Sequence, residues 1–333
     1  MISDSSNPLV SVIMCVYNTP IAFLYESVKS ILDQTYTNFE FIIVDDCSSV
    51  DLYGDNIFNN KHIIILKNQT NRGPSFSRNR ALEIARGKYV AIMDSDDISL
   101  PTRLEKQVAF MEKNTDVIAC GTWFRFIGIK NHEVKRVIDD NEYYKCCLIF
   151  GNSPTLLNPT VMIRNDVLKR NKIKYDETIR FGEDYKMWIQ LSRLGTITNY
   201  KETLLLYRTH KEQSTYNNDI KRQSTRDDNK VKQEEILDKL KIYYDESEKD
   251  LFFNYLNAER YNANKYIKVL DKILESNKIM HIYQQDILEQ RVHEQWVSVI
   301  QHVNNPFILL LLIFKQKWHR KEIITIKKKQ LFR

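Results

Sequence analysis

The chain has 333 residues, of which 43% are hydrophobic and 28% charged, with eight glycines and seven prolines. This length and balance suit two folded domains, and they exclude a disordered, a collagen-like and a disulfide-stapled chain. Residues 315–333 hold eight basic residues and one acidic residue, so they carry +7, and the rest of the chain is close to neutral although the net charge is +6. We therefore expect no nucleic-acid partner on the main body.

Several features predict a cytoplasmic protein. The five cysteines are an odd number without the spacing of a metal site, which is typical of reduced thiols. Residues 1–8 are polar and lack the pattern of a signal peptide. The longest apolar run, Phe307–Phe314, is far shorter than the ~20 residues that a membrane-spanning helix needs. We expect a protein that is soluble or bound peripherally to a membrane.

The first hundred residues alternate strand-like and helix-like segments. Runs rich in Val, Ile, Phe and Tyr predict strands over Leu9–Tyr17, Phe39–Asp45, His62–Leu66 and Tyr89–Asp94. Helical spacing is clear for Leu24, Val28, Ile31 and Leu32, and less distinct for Ala81, Leu82 and Ala85. The strands are almost continuously apolar, as in a parallel sheet covered on both faces. The series predicts an α/β domain of Rossmann-like plan.

Further elements follow in chain order. Thr102 and Glu105 have the spacing of a capping box, which predicts a helix that starts near Pro101. The next predicted elements are strands over Val117–Ile127 and Thr160–Ile163, a helix over Asp184–Leu194 and a strand-like run over Leu204–Tyr207. Beyond these the strand signal fades and helical patterns dominate. We predict one domain over residues 1–215 and a helical, basic region over residues 216–333.

Polar residues cluster where the predicted strands end, which is the edge at which open α/β sheets bind ligands. The run Asp94-Ser95-Asp96-Asp97 is the strongest of these clusters. Three carboxylates in four residues repel one another unless a cation neutralises them or they spread into solvent and cap a helix. Oxygen ligands of this kind suit Mg²⁺ or Mn²⁺, and such an ion would bridge a diphosphate. The alternative is that Asp96 or Asp97 caps the helix near Pro101.

Four motifs occur in a characteristic order and spacing. They are Pro8–Asn18, Val44–Ser49, Asn71–Pro74 followed by Arg78-Asn79, and Asp94–Asp97. With these motifs the chain resembles a family 2 glycosyltransferase of GT-A fold, of the type that builds bacterial capsule or O-antigen. The resemblance extends through Gly182–Asp184 and Tyr207–His210, so it covers about residues 8–215. It implies a nucleotide-sugar-binding domain with a donor half over about residues 1–100 and an acceptor half over about residues 101–215, followed by a C-terminal α-helical extension.

The resemblance also implies a role for each matching residue. Tyr17 would stack on the base of the donor and Asp46 would accept its ring NH, with further donor contacts from Arg78, Asp94 and Ser95. Asp96 and His210 would hold Mn²⁺ or Mg²⁺. Asp184 would be the general base, and Glu183 would bind or orient the acceptor beside it.

Each of these residues also has a simpler interpretation. Tyr17 and His210 could merely pack, Asp46 could be a turn residue before Ser48, and Arg78 could be a solvated helical residue. Glu183 and Asp184 would be ordinary acids at a helix N-terminus, where the helix dipole favours them.

The implied function is inverting transfer of one sugar from a nucleotide-diphosphate donor, a UDP-sugar in the simplest case, to a hydroxyl of a growing surface glycan. No phosphate-binding G-x-x-x-x-G-K-[ST] loop, G-x-G-x-x-G or H-E-x-x-H motif occurs, and the Q-x-x-R-W motif of processive synthases is missing. Single transfer is therefore favoured over polymerisation. The alternatives are an inactive scaffold subunit of the same fold, or a sugar nucleotidyltransferase, which would need a Gly-rich loop after the first strand.

The C-terminal segment has two interpretations. The apolar run Pro306–Phe314 is followed directly by the basic segment 315–333. It predicts either a buried helix with a solvated basic end or an anchor in the plane of a membrane, with the lysines on anionic lipid. An enzyme that extends lipid-linked glycans works close to the inner leaflet of the cytoplasmic membrane, which favours the anchor.

Overall fold

A computed structural model describes residues 7–49, 56–135, 138, 140–150, 156–179, 182–211, 231, 233–243, 245, 248 and 263–302. The chain divides into two compact units, one of residues 1–144 and 151–231, the other of residues 145–150 and 232–333. The domain boundary predicted at residue 215 and the predicted anchor over Pro306–Phe314 lie outside the described residues.

The first unit begins with alternating strands and helices. The elements are β1 (Val10–Val16), α1 (Ile21–Leu32), β2 (Phe39–Asp45), β3 (Ile63–Lys67), α2 (Pro74–Ile84) and β4 (Tyr89–Asp94). The four predicted strands are confirmed, and each bound lies within one residue of the prediction. Helix α1 forms because its apolar residues fall on one face, and it buries Leu24, Val28 and Ile31.

The next elements are β5 (Ile98–Ser99), α3 (Arg103–Lys113), β6 (Val117–Gly128), β7 (Glu133–Val134), α4 (Asn141–Phe150), β8 (Met162–Arg164), α5 (Asn165–Arg170), α6 (Glu183–Ser192) and β9 (Thr196–Thr209). The capping box predicted at the start of α3 is wrong. Thr102 is the N-cap but makes no side-chain capping bond, and the Glu105 carboxylate accepts the Thr35 hydroxyl at 2.6 Å instead.

The described strands form one mixed sheet in the order β3-β2-β1-β4-β8-β6-β9-β5, with β7 paired to β6. Strands β1 to β4 run parallel, so the expected parallel sheet is correct for this part. Beyond β4 the sheet is mixed, because β8 pairs antiparallel with β4, β5 pairs antiparallel with β9, and β6 pairs parallel with β9. Val12 and Ile13 point to opposite faces of the sheet and are both at most 1% exposed, so β1 is covered on both faces.

The register of the parallel strands sets two edges of the sheet. Val16 pairs with Asp45, and Cys15 pairs with Asp94, so β1, β2 and β4 end level with one another. We call this the carboxyl edge, and the opposite edge, where the same strands begin, the amino edge. Residues that directly follow the three strands are thereby placed side by side.

The elements of the second unit that the structure describes are helices, as predicted for the C-terminal region. A short helix, α7 (Asp238–Leu240), is followed by α8 (Ala263–Met280) and α9 (Gln285–His302). Asn277 holds the α8–α9 turn, because its carboxamide oxygen accepts the main-chain NH of Ile282 and Tyr283 and its NH₂ donates to the Tyr283 carbonyl. Among the described helices, none has the length and apolar character needed to cross a bilayer.

Candidate active site

Tyr17 and Ser95 lie at the carboxyl edge because they directly follow β1 and β4. Tyr17 is 52% exposed, so it is not the packed aromatic of the simpler interpretation. Ser95 is buried and its hydroxyl lies 2.6 Å from that of Thr19, which joins the segment after β1 to the segment after β4. The exposed ring of Tyr17 is thus available to a ligand at this edge.

Asp46 follows β2 and is 3% exposed. Its Oδ1 accepts the Asn68 NH₂ at 2.5 Å and the Arg72 NH at 2.9 Å, and its Oδ2 accepts the Gly73 NH at 2.7 Å. The turn before Ser48 is instead closed by Asp45, whose Oδ1 accepts the Ser48 NH at 2.8 Å. Through these hydrogen bonds, Asp46 holds the loop before α2 at the carboxyl edge.

The acidic run at the end of β4 does not cap helix α3, whose N-cap is Thr102. The Asp97 Oδ1 accepts the main-chain NH of Arg208 at 2.8 Å, and Asp97 is completely buried. Burial, reinforced by the nearby Asp96 and Asp94 carboxylates, raises the pKa of Asp97 well above its ordinary value. Burial also raises the pKa of Asp94 to about 6, although the Arg78 guanidinium opposes that change. Negative charge is therefore costly at this edge unless a cation is present.

His210 directly follows β9, and β9 pairs antiparallel with β5, the short strand that comes directly after the acidic run. This pairing brings His210 to the acidic run. Its Nε2 lies 3.0 Å from the Asp96 Oδ2, and its Nδ1 is buried without a hydrogen-bond partner. Arg208 secures this approach, because its Nε donates to the Asp96 carbonyl at 2.8 Å and its guanidinium lies 4.3 Å from the centre of the Phe23 ring. Asp96 and His210 therefore lie side by side in the structure, while their role as metal ligands stays a prediction.

The donor atoms of Asp96 and His210 fit two positions around one divalent ion. A carboxylate oxygen suits Mg²⁺ or Mn²⁺ and an imidazole nitrogen is a common ligand of divalent metals, so these two groups, 3.0 Å apart, would both reach one ion. The described residues contain no group of three or more His, Cys, Asp or Glu side chains arranged to hold a metal. An ion at this pair would therefore depend on water and on the ligand for its other bonds.

Arg78 connects the acidic run to the start of α6. It is 9% exposed, and its Nη1 donates to the Glu183 Oε1 at 2.5 Å while its Nη2 donates to the Asp94 Oδ1 at 3.3 Å. Burial alone would lower the pKa of Arg78, but Glu183 and Asp94 raise it well above its ordinary value. Arg78 is thus a buried counter-charge between two acidic motifs rather than a solvated helical residue.

Helix α6 begins with the two acids that the motif predicted. Gly182 precedes them with φ +83°, a left-handed conformation that favours glycine and turns the chain into the helix. Glu183 is buried against Arg78, whereas Asp184 is partly exposed and its Oδ1 accepts the Tyr185 NH at 2.8 Å. The two neighbouring carboxylates therefore lie in different environments at one helix N-terminus.

Sequence reasoning missed two residues that organise this site. Arg208 lies in the motif Tyr207–His210, which predicts no role for it, and the signal for its role is its position two residues before His210. Asn79 follows Arg78 in its motif, which also predicts no role for it. It is 3% exposed and contacts Tyr175 in the chain segment before α6. The weak apolar periodicity of α2 was a signal, because a helix that buries polar residues lacks a hydrophobic stripe.

Comparison with known proteins identifies relatives of this chain. A family model with the description "Glycosyl transferase family 2" matches residues 11–171 of this chain. An uncharacterized glycosyltransferase of Methanocaldococcus jannaschii is 39% identical over 57% of this chain and 67% of its own. The putative glycosyltransferase EpsE of Bacillus subtilis is 30% identical over 64% of this chain and 76% of its own. An uncharacterized glycosyltransferase of Haemophilus influenzae is 29% identical over 97% of this chain and 96% of its own.

Solved structures show the same fold. The crystal structure of S. aureus TarS residues 1–349 has a TM-score of 0.58 at 18% identity and covers 87% of this chain and 89% of its own. TarS was also solved in complex with UDP and with UDP-GlcNAc. The chain belongs to glycosyl transferase family 2, with a GT-A-like mixed sheet and C-terminal helices α8 and α9, and it is a glycosyltransferase.

Proposed function

We propose that the chain, as a member of glycosyl transferase family 2, transfers one sugar from a nucleotide-diphosphate donor to an acceptor hydroxyl with inversion. The observation that carries this proposal is the gathering of Asp96 with His210, and of Asp94 with Glu183 through Arg78, at one edge of the sheet. These groups come from distant parts of the chain, and structural stability alone does not require acidic groups to converge.

The donor lies across the ends of β1, β2 and β4. Tyr17 stacks on the base, and Asp46, which already orders the loop before α2, accepts the ring NH through the remaining lone pair of its Oδ2. The donor half spans about residues 1–100 and the acceptor half about residues 101–215. A UDP-sugar is the favoured donor, and the complexes of TarS with UDP and UDP-GlcNAc support this choice.

Asp184 is the general base. Glu183 is committed to the buried Arg78 guanidinium, so its carboxylate orients the start of α6, while Asp184 is the partly exposed member of the pair. Asp184 takes the proton from the acceptor hydroxyl as that oxygen attacks the anomeric carbon. One displacement inverts the anomeric centre and requires no covalent intermediate.

Asp96 and His210 hold a divalent cation, Mn²⁺ or Mg²⁺. When bound, the ion supplies neutralisation of the charge that grows on the leaving diphosphate. The chain contributes the pair of ligands and the rigid placement of β9 through Arg208. Asp94 and Ser95 contact the donor from the end of β4.

The acceptor is a growing surface glycan, and the enzyme works in the cytoplasm at the inner face of the membrane. This part of the proposal depends on the resemblance of the motifs to enzymes of surface polysaccharide synthesis and on the apolar and basic character of residues 306–333. Anionic lipid is the surface that such a segment would bind.

A screen of nucleotide sugars tests the function. Purified protein is incubated with UDP-, GDP-, CMP- and dTDP-sugars in Mn²⁺ or Mg²⁺, and donor binding and release of the nucleotide are measured. We expect one donor class to bind and to be turned over by the wild type but not by Asp184→Asn. Absence of both binding and turnover for every donor would overturn the proposal and leave a scaffold role.

A further inference from the structure

Helix α2 presents a buried polar face where α1 presents an apolar one. Its buried residues include Ser75, Ser77, Arg78 and Asn79. Arg78 and Asn79 lie three and four positions after Ser75, so the three residues share one face of the helix. That face contacts the chain segment of residues 175–183, which immediately precedes Asp184; residues 180 and 181 of this segment are outside the described residues.

Asn79 makes the most complete of these contacts. Its Oδ1 accepts the Tyr175 NH at 2.9 Å, and its Nδ2 donates to the Tyr175 carbonyl at 2.9 Å and to the Glu177 Oε1 at 2.9 Å. The side-chain amide therefore pairs with both main-chain groups of one residue. Because Asn79 is 3% exposed, water does not replace these bonds when the amide is removed.

The neighbouring residues of α2 hold the same segment further along. The Ser75 hydroxyl lies 3.5 Å from the Ile179 carbonyl, and Arg78 pairs with Glu183 at 2.5 Å. The Arg78 guanidinium also lies 5.3 Å from the centre of the Tyr175 ring. One rigid helix face thus contacts the segment near its beginning, in its middle and at its end.

We propose that Asn79 is a positioning residue that sets the place of the Asp184 carboxylate by fixing Tyr175 to α2. This inference rests on the proposed function, in which Asp184 is the general base. A base must reach the acceptor hydroxyl at hydrogen-bond distance, and a displacement of about 1 Å can cost on the order of 10²-fold in rate. Asn79 does this without touching the donor or the acceptor.

Asn165 is a matched control for Asn79. It is also a buried asparagine, at 4% exposed, and its Nδ2 donates to the carbonyls of Ala85 (3.2 Å) and Gly87 (2.7 Å) at the amino edge. Asn79→Ala and Asn165→Ala should both lower the free energy of unfolding. Only Asn79→Ala should lower kcat, by about tenfold or more, with the donor KM unchanged within about threefold.

A double-mutant cycle separates positioning from general structural damage. In the Asp184→Asn background the base is absent, so adding Asn79→Ala should cause no further loss of kcat. A merely structural effect would reduce kcat by the same factor in both backgrounds. That result, or a kcat for Asn79→Ala equal to that of Asn165→Ala, would overturn the proposal.

A second variant covers the case in which Asn79→Ala does not fold. Asn79→Asp keeps the shape and the acceptor for the Tyr175 NH but loses the donor to its carbonyl, and we expect the same selective loss of kcat. Turnover is measured with the donor found in the nucleotide-sugar screen. If the wild type turns over no donor, the proposed function and this inference both fail; if it is active and Asn79→Asp retains full kcat, only this inference fails.

Discussion

Both edges of the sheet contain buried polar groups, but the two edges differ in how completely these groups are hydrogen-bonded. At the amino edge, the Glu40 carboxylate accepts hydrogen bonds from the Ser11 hydroxyl at 2.7 Å and from the Arg86 NH, Nε and Nη2 at 2.8, 2.9 and 2.7 Å. The Ser11 hydroxyl in turn accepts the Gly87 NH at 2.8 Å. Every member of this small network has a partner within the protein.

Hydrogen bonding of the buried polar groups is less complete at the carboxyl edge. The Asp45 Oδ2, the Asp97 Oδ2 and the His210 Nδ1 are buried there without a hydrogen-bond partner, within the part of the chain that the structure describes. Natural proteins satisfy nearly all buried polar groups, and exceptions concentrate at functional sites. The contrast predicts that substitutions at the amino edge reduce stability alone, whereas those at the carboxyl edge reduce activity.

The largest effect is expected for Asp96→Ala, which should abolish transfer. The substitution removes one of the two side chains that we assign to the divalent ion. Chelation of divalent ions should do the same to the wild type, and added Mn²⁺ or Mg²⁺ should restore activity. Full transfer by the wild type in excess chelator, measured as release of the nucleotide, would remove the ion from the mechanism.

Asp184→Asn should lower turnover by at least ~10²-fold, the usual scale for loss of a general base. Donor affinity, measured by calorimetry, should stay within a few-fold, because Asp184 acts on the acceptor. Glu183→Gln is the comparison variant at the same helix start. An inactive Glu183→Gln together with an active Asp184→Asn would show that the two acids are assigned the wrong way round.

Arg78→Met should affect both stability and turnover. It leaves Asp94 and Glu183 at the carboxyl edge without their buried counter-charge, which costs about 3–5 kcal/mol of unfolding free energy. Urea denaturation measures this loss. Adding Glu183→Gln to Arg78→Met should recover part of it because one unpaired charge is removed. If Arg78→Met is as stable as the wild type, the two ion pairs contribute little to the free energy of unfolding.

The smallest effect on turnover is expected at the amino edge, for Glu40→Gln. Burial alone would raise the pKa of Glu40, but the hydrogen bonds from Arg86 and Ser11 outweigh it and lower the pKa below 4.5. Glu40 is therefore stabilising above pH 4.5, and that stabilisation is lost as the pH falls through the lowered folded-state pKa.

At pH 7, Glu40→Gln should lower the unfolding free energy by about 1–3 kcal/mol, with kcat unchanged. The difference from the wild type in urea denaturation should shrink as the pH falls below 4.5. A clear loss of kcat in Glu40→Gln would contradict the separation of the two edges.

Local sequence patterns predicted the strands and helices that bury mainly apolar side chains. The strands β1 to β4 and helix α1 have runs or stripes of apolar residues that are hard to place in any other way. Helix α2 was less distinct because it buries Arg78 and Asn79 in place of an apolar stripe. Strand β9 was predicted only over Leu204–Tyr207, since its first half mixes polar and apolar residues and is held by pairing with β6.

The sequence by itself determined the chemical groups of the site. The acidic run follows a buried strand and the pair Glu183-Asp184 begins a helix, and both positions are encoded by neighbouring residues. Which groups meet was decided only by the tertiary structure. Asp96 and His210 are 114 positions apart and meet because Ile98 pairs with Leu206 in an antiparallel register. Strand pairing depends on contacts summed over the whole sheet, so no local pattern specifies that Arg78 joins two acidic motifs or that Asn79 holds Tyr175.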